Sequence, residues 1–394
     1  MASPSELAEL RDLYLLRKDI AFLNHGSFGA CPRPVFETYQ RWQAELERQP
    51  VDFFRKLRGR LAEARAALGQ YVGTNPDNLV FVQNLTWGMN AIARSLQLKP
   101  GDEVLTTNLE YGAVDKTWGY YSGRYGYRYV NQPITVPVTT AEQFVEELWS
   151  GVNERTRVLM LSHITSGTAL RLPVESVIKR ARAAGLITVI DGAHAVSQVD
   201  LNLDELGVDF YVGNCHKWLS APKGSAFLFA RPERQDLLEP LIISHGYLAD
   251  HTDSSPFLDH YQGVGTMDPA AYLSVPAAIE FQREHDWTSV RAACHELVRN
   301  AREQVGALSG LPQIAPDSTD WFVQMATIPL PQLPELTGRG LHDRLWNEFG
   351  VEIPATGTGD QPRVRISIQA YNNQADVDRL VNALKVILTE TGKA

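Results

Sequence analysis

An aspartate at the end of one apolar run and a lysine just after another carry the most chemistry in this sequence. Thr188-Val189-Ile190 ends on Asp191-Gly192-Ala193-His194, and Phe210-Tyr211-Val212-Gly213 leads into Asn214-Cys215-His216-Lys217-Trp218. Both runs read as buried strands. A lysine in such a place can hold a carbonyl cofactor as a Schiff base, and a buried carboxylate can pair with a pyridine nitrogen and keep it protonated. Together they are what pyridoxal phosphate (PLP) chemistry requires, because the protonated ring draws electrons and makes a substrate Cα–H acidic. A strand-end Asp and a loop Lys are each common, so the surrounding residues must decide.

Further candidates lie at the ends of other elements. Ala21-Phe22-Leu23 reads as a short strand entering the polar loop Asn24-His25-Gly26-Ser27-Phe28-Gly29, where two glycines permit tight bends and close approach to a ligand. Leu79–Val82 reads as a strand followed by Gln83-Asn84-Leu85-Thr86-Trp87-Gly88 and a helix to about Leu96. A helix start with a hydroxyl suits an anion, although Thr86 could simply cap the helix. Asn108-Leu109-Glu110-Tyr111 and Ser162-His163-Ile164-Thr165-Ser166 also follow apolar runs. In Arg363-Val364-Arg365-Ile366-Ser367 the strand period of two puts Arg363 and Arg365 on one face. Arginine there suits bidentate carboxylate capture, with a surface ion pair as the plain alternative.

The elements that must position these residues alternate. Strands at 103–106, 127–130, 157–161 and 186–190 are expected between helices at 112–123, 141–149 and 174–184, which predicts a mostly parallel sheet covered by helices. Ligands then sit beyond the carboxyl ends of the strands. Helices are also expected at 5–18, 34–48, 52–71, 269–284 and 287–308, with a loop-like stretch at 244–268. The C-terminal part reads as a smaller α/β unit: strand 321–328, helix 338–349, strand 363–368, helix 375–390. This gives an N-terminal segment (1–20) packing on the small domain, a large domain (21–286) and a small domain (287–394).

Bulk properties narrow the classes. A chain of 394 residues with net charge −9 has room for a large core and argues against a nucleic-acid or membrane-surface partner. Cys31, Cys215 and Cys294 are scattered and odd in number, which makes neither a disulfide framework nor a metal pair. No leader pattern opens the chain and no run approaches membrane-spanning length, so a cytoplasmic location is expected.

With these motifs assembled, the chain resembles the fold-type-I PLP enzymes of the class V aminotransferase family, and among them isopenicillin N epimerase and its relatives. The resemblance rests on Phe22–Pro34 (FLNHGSFGACPRP), Ile190–Ala195 (IDGAHA), Cys215–Gly224 (CHKWLSAPKG), Gly265–Asp268 (GTMD) and Arg365–Asn372 (RISIQAYN). It implies an α/β fold with a mostly parallel seven-stranded sheet and a smaller C-terminal α/β domain. At matching positions it implies Lys217 as the Schiff-base lysine and general acid/base, and Asp191 as the partner of the pyridinium nitrogen. Tyr111 would stack on the cofactor, and His194 would reach its phenolic oxygen. Thr86, backbone N–H groups near Leu85 and Thr86, Asn214 and His216 would hold the phosphate, with Ser166 a further cofactor contact. Gly265 and Thr266 resemble the segment that a neighbouring subunit lends to that phosphate, which implies a homodimer with composite sites. Arg365 would bind the α-carboxylate of a small amino-acid or amino-acid-conjugate substrate, with Asn24 and His25 closing over it.

Departures narrow the reaction. Cysteine desulfurases of this family carry a nucleophilic cysteine before the C-terminal Arg-x-Ser strand, whereas this chain has Pro354-Ala355-Thr356-Gly357-Thr358-Gly359-Asp360 there. Tyr111 also stands where that branch stacks a histidine. Persulfide-forming desulfuration is therefore disfavoured. Epimerisation or racemisation is the leading expectation, a β-eliminating C–S lyase the close second and an aminotransferase the third. Retention of Lys217, Asp191 and Arg365 argues against a non-catalytic partner protein on the same scaffold.

Overall fold

The computed structural model describes residues 9–248, 255–333, 336–357 and 362–390. Its centre is a seven-stranded sheet of β2 (Leu79–Val82), β3 (Glu103–Thr107), β4 (Arg128–Gln132), β5 (Thr156–Ser162), β6 (Ile187–Asp191), β7 (Phe210–Asn214) and β8 (Ala226–Ala230). The strands lie in the order β2-β8-β7-β6-β5-β3-β4. Only β8 runs against its neighbours; the pairs from β7 to β4 are parallel. All residues of β2, β3, β7 and β8 are buried, as near-continuous apolar strands covered on both faces should be. The chain steps outward from β3 to β4, then returns so that β5 lies on the other side of β3. That reversal opens a crevice beyond the strand ends.

The smaller C-terminal sheet has the order β11 (Ala355–Thr356), β12 (Arg363–Ser367), β9 (Met325–Pro329) and is antiparallel. Helices Trp287–Ser309, Gly338–Phe349 and Gln374–Glu390 pack around it. The N-terminal strand β1 (Ala21–Phe22) pairs with β10 (Val351–Glu352) and not with the large sheet. Asn24 continues alongside Ser367, and Arg11 is paired with Asp376 at 2.8 Å. The N-terminal contact with the small unit, expected of 1–20, thus extends through Asn24. Residues 1–8, where the first expected helix begins, lie outside the described residues.

Three sequence expectations shift for local reasons. The strand expected from 321 starts at Met325, because the Trp321 and Phe322 N–H groups turn back to the Ser318 carbonyl. The helix expected over 269–284 is split into Ala270–Leu273 and Val275–Glu284; Pro276 has no N–H to carry the ladder across Ser274. The loop-like 244–268 contains helix Pro256–Gln262, capped by Ser255, which is too short for apolar periodicity to register. Residues 249–254 of that stretch, and 358–360 of the segment that lacks the desulfurase cysteine, lie outside the described residues.

Candidate active site

A cavity of about 560 Å³ opens at the carboxyl ends of the central strands, lined among others by Thr86, Tyr111, Asp191, His194, His216 and Lys217. Asp191 ends β6 in register with Ser162 of β5. One of its oxygens accepts the Ala193 N–H at 2.9 Å. Burial raises its pKa, with the Ala193 N–H and the Lys217 charge opposing. Lys217 Nζ stands 3.1 Å from His194 Nε2. Burial pushes its pKa down and Arg365 adds to that, while Asp191 opposes. A pair of this kind suits a lysine that must be an amine to react with a carbonyl.

The Lys217 backbone is clamped from the N-terminal loop. Gly29 has φ +70°, and a Cβ there would lie 2.1 Å from the His216 carbonyl oxygen, so only glycine permits this approach. His25 Nε2 donates to the Lys217 carbonyl at 2.9 Å, and its Nδ1 accepts from Tyr371 Oη at 2.9 Å. Burial pushes His25 down to about 3, so the ring is neutral. This corrects the expectation for His25. It is fully buried with both ring nitrogens engaged, and it positions the lysine loop; it does not face a substrate.

At the opposite end, helix Leu85–Ser95 points its N-terminus into the cavity. It packs so close to β7 that a Cβ at Gly88 would lie 2.7 Å from Val212 Cγ1. The first-turn donors are already partly used. Leu85 N–H donates to Asn214 Oδ1 at 2.9 Å, and Trp87 N–H to Asn84 Oδ1 at 2.9 Å. The Leu85 N–H is therefore not a phosphate donor, and the Asn214 oxygen acts as a second cap; Thr86, with its N–H and hydroxyl, is the donor that lines the cavity. Asn214→Ala should leave the buried Leu85 N–H without an acceptor and cost about 1–3 kcal/mol. A denaturant titration would read this as a lower midpoint at unchanged slope; an unchanged midpoint would show that Leu85 finds another acceptor.

His216 donates Nδ1–H to the Ser225 carbonyl at 2.9 Å. Burial, then the Lys217 and Lys223 charges, hold it down at about 4 against the favourable Ser225 contact. At neutral pH its Nε2 is thus a lone pair, which suits a phosphate oxygen only once the ring takes up a proton. Gly265 and Thr266 are exposed and do not line this cavity, although Met267 and Asp268 do.

Arg365 sits behind the cavity wall, 7% exposed. Its Nη1 donates to the Ser166 carbonyl at 2.8 Å, and Nη2 to Ser27 Oγ at 3.0 Å and Asn24 Oδ1 at 3.3 Å. Its Nε is buried with no partner, and among the described residues it has no carboxylate counter-ion. Burial pushes it down to about 10. Ser27 and Ser166 both line the cavity, so these two serines connect the buried arginine to the cavity wall. Asn24 is also spoken for: its Nδ2 donates to Glu352 Oε1 at 2.8 Å. It orients Arg365 instead of closing over the cavity. Ser27 itself was not singled out in the sequence, since one hydroxyl in a polar loop carries no spacing signal.

Glu110 was named in the sequence without a role. Its carboxylate accepts from Thr107 Oγ1 at 2.6 Å, and from Ser162 N–H at 2.9 Å and Oγ at 2.6 Å. It ties β3 to β5 across the crevice. Burial and the nearby Asp191 charge push it up to about 7.

The cavity fits a PLP molecule: an amine, a carboxylate at a strand end, an aromatic wall at Tyr111 and a helix N-terminus for the phosphate line one open cavity. A larger cleft of about 1430 Å³ lies between helix Trp287–Ser309 and the Tyr371–Gln374 turn. Arg299 in that cleft is already paired with Asp317 at 2.8 Å and with Glu296 at 2.9 Å. The three cysteines line neither space. Among the described residues no helix is long and apolar enough to cross a membrane.

Comparison with known proteins agrees with this geometry. The chain is 34% identical to isopenicillin N epimerase of Amycolatopsis lactamdurans, covering 96% of this chain and 98% of that one. It is 27% identical to a probable chloroplastic L-cysteine desulfhydrase of Arabidopsis thaliana, over 94% of this chain and 84% of the relative. The fold matches the apo cysteine desulfurase of Thermococcus onnurineus NA1 with a TM-score of 0.83, 19% identity and 99% coverage of both chains. The aminotransferase class-V family profile matches residues 33–380. The cavity, the fold and these matches agree: the chain belongs to the class V aminotransferase family of PLP-dependent enzymes, with pyridoxal 5′-phosphate as its cofactor.

Proposed function

We propose that this enzyme abstracts the α-proton of an amino-acid substrate through Lys217 and returns a proton to the opposite face, as an amino-acid epimerase or racemase. The observation that carries this reading is a reactive amine and an uncompensated guanidinium flanking one cavity: Lys217 inside it, Arg365 just behind Ser27 and Ser166. A substrate carboxylate is a better acceptor for Arg365 than the neutral Ser27 and Asn24 oxygens it now uses. Holding the carboxylate at one end and the amine at the other directs the Cα–H towards Lys217. PLP, when bound, supplies the electron sink that makes that hydrogen acidic. Of the residues lining the cavity, Asp191 would pair with the ring nitrogen of that cofactor, Tyr111 would cover its ring and Lys217 would hold its carbonyl carbon. Thr86, Asn214 through its amide N–H and a protonated His216 would hold the phosphate, and Gly265 and Thr266 of a second copy would complete that end in a homodimer.

The epimerase assignment is supported by the higher identity to isopenicillin N epimerase, 34% over nearly the whole chain. The second reading, a C–S lyase that eliminates a β-sulfur substituent, is supported by the 27% identity to a desulfhydrase. Neither needs a thiolate, in keeping with the buried Cys215 and Cys294. The test is incubation of the loaded enzyme in deuterated water with single amino acids and cysteine conjugates. Deuterium at Cα with the side chain retained and both enantiomers formed supports the epimerase. Release of sulfide with a keto acid would overturn it in favour of the lyase. Absence of both would sink α-proton abstraction.

A further inference from the structure

Trp218 is fully buried beside Lys217, and its indole has a single polar hydrogen. That Nε1–H points at His194 Nδ1, 3.2 Å away. An indole N–H can only donate, so His194 Nδ1 must present its lone pair. In a neutral imidazole the proton then resides on Nε2, the nitrogen 3.1 Å from Lys217 Nζ. The histidine is itself pinned: Gln198 Nε2 donates to its carbonyl at 2.7 Å, and the Gln198 side-chain oxygen accepts Gln324 N–H at 2.9 Å. The Trp218 carbonyl in turn accepts Gln282 Nε2 at 3.0 Å. The backbone at both ends of the indole–imidazole contact is therefore held by buried amides, Gln198 at His194 and Gln282 at Trp218.

We infer that Trp218 is a positioning residue that locks His194 in the Nε2–H tautomer, so that a hydrogen-bond donor, never an acceptor, faces Lys217 and whatever cofactor atom lies beside it. The inference rests on the reading of Lys217 as the cofactor lysine. A donor at that place favours the unprotonated nitrogen of Lys217 over its protonated form, because the lone pair accepts from Nε2–H whereas an N–H⁺ meets another N–H. Burial acts in the same direction by keeping the imidazole neutral, with the Lys217 and Arg365 charges adding to it. Without the indole the ring is free to exchange tautomers, and an Nε2 lone pair would then stabilise the protonated nitrogen instead.

The test uses the cofactor-loaded full chain and two readouts. In protein carrying ¹⁵N-labelled histidine, with His194→Gln to assign the signal, the His194 ring should show a protonated Nε2 and a bare Nδ1 between about pH 6 and 9. A proton on Nδ1, or on both nitrogens, overturns the inference, and this measurement needs no variant of Trp218. In Trp218→Phe the pH midpoint of the visible cofactor band should rise by about one unit. The same change made in the His194→Gln background should leave the midpoint where His194→Gln alone puts it, since an amide donor has no tautomer to lock. Equal shifts in both backgrounds, or none in either, would make the indole mere packing. A failed α-proton reaction leaves both readouts intact. Loss of the visible band from the wild type would instead sink the Lys217 reading.

Discussion

Lys217→Ala should lose the visible cofactor band and at least about 10³-fold in turnover, because one side chain both anchors the cofactor and moves the proton. Borohydride reduction of the wild type followed by peptide mapping should place the cofactor on Lys217. Lys223 is the other lysine lining the cavity, so a band that survives in Lys217→Ala and maps to Lys223 would reverse the assignment. The pH dependence of loading follows from the same environment. The amine is the reactive form, so the rate of band formation rises with pH and levels off above the Lys217 pKa. Burial lowers that pKa, which puts the half-rate point well below the value of about 10.4 for an exposed lysine. A half-rate point at the exposed value would contradict the buried setting described above.

Arg365→Ala should reduce kcat/KM for amino acids by about 10²–10³-fold, most of it in KM, the scale on which truncating one partner of a buried charge pair acts. The guanidinium has no carboxylate partner among the described residues, so its cost of burial is offset only when a substrate carboxylate arrives. Arg365→Lys should recover little, since an ammonium cannot replace a fork that spans the Ser166 and Ser27 sides of the wall. An amine substrate lacking the carboxylate separates the outcomes: wild type and Arg365→Ala should process it at similar, low efficiency. If the variant loses as much on that amine as on the amino acid, Arg365 supports the fold of the wall and does not bind the carboxylate.

The elements around the cofactor were legible in the sequence because each follows a short-range rule. β2 and the helix Gly338–Phe349 have the bounds expected from their apolar patterns. Asp191 and Lys217 could be placed at strand ends because runs of β-branched and aromatic residues stop abruptly there. The seven-stranded, mostly parallel sheet followed from the alternation of strand and helix with the family resemblance. The position of Thr86 at the cavity was legible for the same reason, since a helix start after a strand presents free N–H groups beyond the strand end.

What the sequence left open depends on which hydrogen bonds are already taken, and that is settled only when distant segments meet. Leu85 N–H is used by Asn214, which approaches from β7. Asn24 and His25 read as substrate contacts, yet Asn24 is committed to Glu352 and Arg365, and His25 to Tyr371 and Lys217. Ser27 and Ser166 gain meaning only because β12 carries Arg365 behind them. Glu110 and Trp218 differ from any other carboxylate or indole only through their partners on β5 and after β6. Sequence spacing therefore determined which residue types reach the crevice, since strand and helix periods are local. The tertiary structure decided which of their donors and acceptors remain for a ligand, because each buried polar group binds the partner that packing brings within reach.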